Sequence, residues 1–396
     1  MNWLNAEKTT INNQSFIMKK TLFLSRISPL AGILLIISIS LTDCKAQKPG
    51  LKDVFNGCFQ IGAAINPAQI LGRDPLAHPF ILKHFNSITA DNEMKFERIH
   101  PKPGVFNFTI ADSLVAFAGR NNLFVEGHVL VWHSQTPAWV YKDSLGNQLT
   151  KDALLARMKD HIFTVAGRYK GKVNGWHVVN EAIDDDGLMR KSKYYEIIGE
   201  DYVQKAFEFA HEADPDAELY YNDYNIEVPE KREGVVRLLK QLIASGVRID
   251  GVGLQGHYLV DFPTLAQIDS SIRIYSDLGL KVIITELDLD PLPNPFDKAY
   301  AEISKRAEYK EVMDPYKNGM PDSVETVFNQ RYADLFKIFV KYNDVIDRVT
   351  FWGLNDRYSW KNNFPIFGRT NYPLLFDRNY EPKSAFYEVI KTANCH

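Results

Sequence analysis

From about residue 50 onward, short apolar runs alternate with amphipathic stretches at helical spacing, and this alternation constrains the chain more than any other feature. Eight runs have the length and composition of buried strands: 60–66, 87–93, 124–132, 175–181, 217–225, 251–257, 281–288 and 348–356. Between them, residues 152–169 set Leu155, Met158, Ile162, Val165 and Tyr169 on one helical face, and 235–243 and 332–339 carry similar stripes. Eight such repeats over roughly 340 residues match a TIM (β/α)8 barrel with loop insertions. An open doubly wound sheet would want a glycine-rich phosphate loop after the first strand, and Gly62-Ala63-Ala64-Ile65-Asn66 does not supply one. The expected fold is therefore α/β, a TIM barrel in a single domain spanning residues 50–396. Residues 291–321, rich in proline and charge, read as a surface excursion on the active face between the seventh strand and its helix.

Ahead of the barrel, residues 1–46 read as an export segment. Met18-Lys19-Lys20 followed by the apolar run 30–41 has the form of a signal peptide, too short for the ~20 residues that span a bilayer. Met18 is the better start. Two exits are compatible with it. Leu41-Thr42-Asp43-Cys44 resembles a lipobox, although Asp43 is a poor residue before the cysteine, and signal peptidase could instead cut after Ala46. Either places the mature protein outside the cytoplasm, as an outer-membrane lipoprotein, periplasmic or secreted, with membrane attachment only through a lipidated Cys44. The remaining cysteines, Cys58 and Cys395, have no metal-ligand spacing. They could pair, because barrel termini tend to meet, but two separate buried thiols are the expectation.

In a barrel of this kind chemistry collects at the carboxyl ends of the strands. Polar, ionisable and aromatic residues stand at nearly every one. The run Trp176-His177-Val178-Val179 ends in Asn180-Glu181, and the seventh ends in Thr285-Glu286-Leu287-Asp288. Net charge of -3 and the lack of a basic run in the body of the chain give no reason to expect nucleic acid. His128, His133, His177 and His257 lack the H-x-H spacing of a barrel metal site, so no metal is expected, and no cofactor motif is present. Two carboxylates, Glu181 and Glu286, are the strongest candidates for chemistry. Glycoside hydrolysis needs such a pair, one to protonate the leaving oxygen and one to attack or to activate water. His257, Asp288 and Tyr224 lie where they would orient and charge-balance Glu286.

The motifs carry a more specific resemblance. TADNEMKFE (89–97), GHVLVWHSQTPAW (127–139), WHVVNEAIDDDG (176–187), YYNDYNIE (220–227), GVGLQGH (251–257), ITELD (284–288), FWGLNDRYSW (351–360) and PLLFDRNYEPKSAFY (373–387) resemble, in order, glycoside hydrolase family 10, the retaining endo-β-1,4-xylanases. The resemblance implies Glu181 as general acid/base and Glu286 as the nucleophile that forms a glycosyl-enzyme intermediate. It implies His257 and Asp288 around the nucleophile, with Tyr224 beside it, and Asn180 on a sugar hydroxyl. Asp91, Asn92, Lys95, His128, Trp132, Gln135 and Gln255 would bind sugar, and Trp352 and Trp360 would stack on it or cap it. The implied partners are xylan and xylo-oligosaccharides, acted on by a monomer without a cofactor.

Two departures from the family pattern stand out: Asp91 where glutamate is usual, and His177 where aspartate is usual. The first implies that a hydrogen bond to sugar is missing or relayed by water; the second alters the field at Glu181. A β-1,4-glucan hydrolase and a catalytically dead glycan-capture barrel are the rival readings. The motifs around the carboxylates fit xylanases better than the first, and the presence of both carboxylates with their supporting groups weighs against the second.

Overall fold

The computed structural model describes residues 48–296 and 302–395. The export segment expected over residues 1–46, with Met18 and Cys44, lies outside the described residues. The strands are β1 (Gln60–Ile65), β2 (Ser87–Ala90), β3 (Phe124–Trp132), β4 (Gly175–Asn180), β5 (Glu218–Asp223), β6 (Gly251–Leu254), β7 (His257–Leu259), β8 (Lys281–Asp290) and β9 (Ile346–Phe351). All paired strands run parallel, in the order β6-β5-β4-β3-β2-β1-β9-β8, and β6 pairs with β8 to close the ring. Eight strands therefore make the barrel, as the alternation of runs predicts. Short β7 continues the line of β6 after Gln255-Gly256 and pairs with β8 alone.

Burial on both faces explains why the runs read as continuous rather than alternating apolar sequence. Every residue of β2, β4 and β6 is buried. Two glycines make room for the side chains of neighbouring strands, Gly127 on the helix-facing side and Gly253 inside the ring. A Cβ on Gly127 would fall 2.2 Å from the Trp176 ring, and one on Gly253 would fall 2.4 Å from Asn222 Oδ1.

The helices form the outer layer. Lys151–Arg168 starts at Thr150, whose Oγ1 accepts from the Ala153 amide, and it buries Leu154, Met158, Ile162 and Val165. Leu155, predicted on the buried stripe, is only half-buried, because the face is rotated by one residue towards Leu154. Pro229 opens Pro229–Ala244 at the position where its missing N–H costs nothing.

One expectation fails. Cys58 and Cys395 are not separate thiols; they form a disulfide, with Cα atoms 5.2 Å apart across 337 residues of chain. Cys58 lies just before β1 and Cys395 just after the last helix, Ser384–Ile390. Ring closure through the β1–β9 ladder brings the two ends together.

Candidate active site

Three strands carry register shifts where they approach the mouth. Between the pairs His128↔His177 and Val131↔Val179, β3 takes three steps while β4 takes two. Against β5, β4 in turn takes two steps from His177 to Val179 while β5 takes one. Between Ile284↔Val349 and Leu287↔Phe351, β8 takes three steps while β9 takes two. Such bulges re-aim side chains and gather near active sites. Here they fall beside His128, at Val178 and around Glu286.

Glu181 follows β4 with φ of 57°, the left-handed region, which a non-glycine residue adopts only when its surroundings hold it there. Three contacts do so. The Glu181 amide donates to Asn222 O at 2.9 Å, Arg190 Nε donates to Glu181 O at 2.9 Å, and the Ala182 amide donates to the Tyr221 hydroxyl at 3.1 Å. The carboxylate then receives Trp132 Nε1 at 2.9 Å on Oε2, with Gln255 Nε2 at 2.9 Å and Asn180 Nδ2 at 3.0 Å on Oε1. Burial pushes its pKa up and the charge of Asp223 adds to that, while His133, Arg190 and the Gln255 hydrogen bond oppose it.

Glu286 lies across the cleft on β8. Asn222 Nδ2 donates to its Oε1 at 2.8 Å, and His257 Nε2 lies 3.3 Å from its Oε2. Burial alone would raise its pKa; the imidazoles of His128 and His257 outweigh burial and hold it at about 2. His257 Nδ1 is 3.0 Å from Asp288 Oδ1, and Asp288 Oδ2 accepts from Trp360 Nε1 at 2.6 Å. Burial works against a charged His257, and Asp288 more than compensates, so its pKa is raised. Two carboxyl groups facing one cleft are thus displaced in opposite directions, the arrangement that separates an acid from a nucleophile.

The cleft is lined by Asp91, Asn92, Lys95, His128, Trp132, Gln135, Asn180, Glu181, Gln255, His257, Glu286, Trp352 and Trp360, all singled out from sequence, together with Ile303, Arg306 and Phe364. Asp288 stands behind His257. Tyr224 is turned towards the acid/base side: its hydroxyl accepts from Arg190 Nη2 at 3.0 Å and Lys231 Nζ lies 3.5 Å over its ring. Lys95 Nζ donates to Asn92 Oδ1 at 3.0 Å and sits 5.3 Å from the Trp132 ring centre. Gln135 donates to Glu97 at 3.0 Å, and Trp360 stacks on Phe364 with centroids 4.6 Å apart. Burial raises the pKa of Asp91, with Lys95 opposing.

Several contributors escape a reading of the sequence. Asn222 ties the two halves together, donating from Nδ2 to Asn180 Oδ1 at 2.8 Å as well as to Glu286, and accepting from Thr285 Oγ1 at 2.6 Å. The excursion after β8 dips inward as well as out: Glu302 is buried, 3.2 Å from His133 Nε2 and 3.0 Å from Arg190 Nη1. Arg348 and Glu126 pair inside the barrel at 3.2 Å. Only the position of Asn222 in the strand-end motif YYNDYN hinted at any of these.

Two clusters, His128–His177–Glu286 and His133–Glu181–Glu302, bring three ligand-type atoms within 4.8 Å of one another. In each, protein groups already engage one another: His128 Nδ1 meets His177 Nδ1 at 2.9 Å, and Glu302 takes His133 and Arg190. A cation would have to displace those contacts. A larger groove, about 710 Å³, lies at the opposite end of the barrel beside Asp112, Arg168, Lys172 and Asn174. It has no carboxylate pair, so chemistry rather than size selects the site.

Residues 50–392 match the model of glycosyl hydrolase family 10. The chain belongs to this family. It is 48% identical over 345 residues to endo-1,4-beta-xylanase A of Xylanibacter ruminicola, covering 87% of this chain and 94% of that protein. It is 42% identical over 373 residues to a beta-1,4-xylanase of Dictyoglomus thermophilum, covering 92% and 99% of the two chains. A solved structure of a family 10 endoxylanase from a sugarcane soil metagenome superposes with a TM-score of 0.84 at 45% identity, covering 86% of this chain and 99% of that one.

Proposed function

We propose that this family 10 glycoside hydrolase is an endo-β-1,4-xylanase that cleaves internal xylosidic bonds with retention of configuration. The observation that carries the reading is the oppositely displaced pair, Glu181 raised and Glu286 lowered, facing one sugar-sized cleft. Ionised Glu286 attacks the anomeric carbon while Glu181 donates its proton to the departing oxygen. Glu181 then takes a proton from water, which displaces Glu286 and returns both carboxyl groups to their starting states. Asn180, Gln255, Lys95 and Asn92 bind sugar hydroxyls, and Trp352 and Trp360 cover its apolar faces. The names of the relatives support xylan as substrate.

The order of roles is open to a direct test. Replacing Glu286 with Ala abolishes hydrolysis of xylan and of aryl xylobiosides alike. Glu181→Ala abolishes xylan cleavage but spares aryl substrates whose leaving groups need no proton. Equal loss on both substrate types in Glu181→Ala overturns the assignment. Proton NMR of the first-formed product distinguishes retention, the β anomer, from inversion. Release of reducing sugar from xylan against carboxymethyl cellulose separates the xylanase from a β-1,4-glucan hydrolase, and activity on neither leaves a binding protein.

We further propose export. The apolar run at 30–41 supports it, and so does the Cys58–Cys395 disulfide, since such bonds persist in oxidising compartments. Labelling of the expressed protein with a radioactive fatty acid, lost in Cys44→Ser, separates the lipoprotein from a cleaved soluble form.

A further inference from the structure

His177 sits fully buried on β4 below the cleft, at the position where the family pattern has aspartate. Its Nε2 is 3.0 Å from Glu126 Oε1 and its Nδ1 is 2.9 Å from Nδ1 of His128, both on β3. From β9, Arg348 Nη2 is 3.2 Å from the same Glu126 oxygen; from β5, the Tyr220 ring lies edge-on with its centroid 6.4 Å from that of His177. From β8, Glu286 Oε1 is 4.0 Å from His128 Nδ1, beyond hydrogen-bond range. Glu126, His128, His177 and Arg348 are each no more than 1% exposed. A line of buried groups in polar contact thus runs from Arg348 to His128, which stands 4.0 Å from the nucleophile.

The hydrogens on that line follow from what each atom can do. Glu126 is ionised: burial alone would raise its pKa, but the Arg348 guanidinium 3.2 Å away outweighs burial and its pKa is lowered. An ionised carboxylate only accepts. The approach of His177 Nε2 to Glu126 Oε1 is a close polar contact rather than an in-line hydrogen bond. Even so, a bare Nε2 would set two lone pairs against each other in a dry interior, so Nε2 carries a proton. Arg348 already balances Glu126, so no second positive charge is called for, and His177 is a neutral ring with Nδ1 as its acceptor. The 2.9 Å contact between the two Nδ1 atoms needs one hydrogen, and it comes from His128.

We infer that His177 is a positioning residue: by relaying the charge of Glu126 it fixes His128 in the Nδ1–H form, so that His128 offers the cleft an unprotonated Nε2 that accepts from a sugar hydroxyl. The sugar part rests on the proposed function; the assignment of hydrogens does not. Glu126 and His177 act as one unit in place of a single carboxylate. A carboxylate at 177 would accept the same hydrogen directly, but it would share a dry interior with Glu126.

The hydrogens are read by imidazole ¹⁵N NMR on the full chain without substrate, the resonances being assigned in the parent itself by through-bond correlation of each ring to its own backbone. The expected spectrum has His128 protonated on Nδ1 only and His177 on Nε2 only. A proton on His128 Nε2, or a doubly protonated His177, overturns the inference. In the activity arm, His177→Phe removes the acceptor and lowers kcat on an aryl xylobioside on the order of 10²-fold, less than the ~10⁴ seen when a catalytic imidazole itself is held in the wrong tautomer. Glu126→Gln combined with His177→Asp restores the acceptor without adding charge and regains most of that loss. Unchanged kcat in His177→Phe, or a folded double variant with no rescue, contradicts the relay. The parent spectrum decides the matter even if a variant does not fold. An inert parent with the expected spectrum would sink the xylanase reading and leave the hydrogen assignment standing.

Discussion

At the scale of single residues, Glu181 shows how much surrounding structure one carboxyl group takes. A left-handed backbone costs a residue with a Cβ roughly 1–2 kcal/mol, and here it is pinned by Asn222, Arg190 and Tyr221. The strain leaves the carboxylate with three donors that favour its charged form, while burial favours the acid. The pKa settles above the ordinary value because burial outweighs the donors. Removing one donor must therefore raise it further. In Gln255→Met the basic limb of kcat/KM against pH, where the protonated acid is lost, moves to higher pH. The acid limb, set by ionisation of Glu286 near 2, stays in place. A basic limb that is unmoved or lowered contradicts the account. Glu181 and Glu286 are legible in sequence because each ends an apolar run. Glu302 is not, because nothing local announces that a charged residue in a proline-rich excursion turns inward to meet His133 and Arg190.

At the scale of elements, the strands are easier to find than to end. The eight apolar runs place every barrel strand, since β-branched sequence buried on both sides has few other uses. Their mouth-side ends run past the ladder at β2 and β5, where predicted strand residues such as Asp91 and Tyr224 have already turned into loop. The bulges in β3, β4 and β8 have no signature in the runs, because an extra residue leaves the apolar pattern intact while shifting the register. They matter all the same, since Asn222 on regular β5 reaches both Asn180 and Glu286 only with its neighbours so aimed. Gly253 on β6 leaves Asn222 its space. In Gly253→Ala the new methyl would meet Asn222 Oδ1 at 2.4 Å and Thr285 Cγ2 at 2.7 Å, so the amide must move. A displacement near 1 Å at a catalytic group costs up to about 10² in rate. We expect a kcat loss of that order, with KM changed far less. We also expect the acid limb to move to higher pH, because Glu286 loses a hydrogen bond to its charged form. A variant with the parent pH profile and kcat would mean that Asn222 does not position Glu286.

At the scale of the whole molecule, the barrel is closed twice. Hydrogen bonds close it where β1 meets β9, and the Cys58–Cys395 disulfide closes it again just outside that seam. Two separate thiols are the expectation from sequence even though barrel termini tend to meet, and the completed ring makes neighbours of residues 337 positions apart. The same separation makes the bond matter. Cross-linking so long a segment removes much of the freedom of the unfolded chain, and loss of a native disulfide typically costs about 2–5 kcal/mol. The bond sits ahead of β1, at the end of the barrel away from the strand termini that carry Glu181 and Glu286. Stability and catalysis should therefore separate. In Cys395→Ser we expect a lower denaturant midpoint with a loss of that size, while kcat and KM on an aryl xylobioside stay at parent values at room temperature. Reduction of the parent with dithiothreitol should reproduce the variant's midpoint, and reduction of the variant should add nothing. If the variant loses activity at temperatures where it is fully folded, the seam is coupled to the cleft. The shape of the mouth would then depend on closure at the far end of the barrel as well as on the bulges beside it.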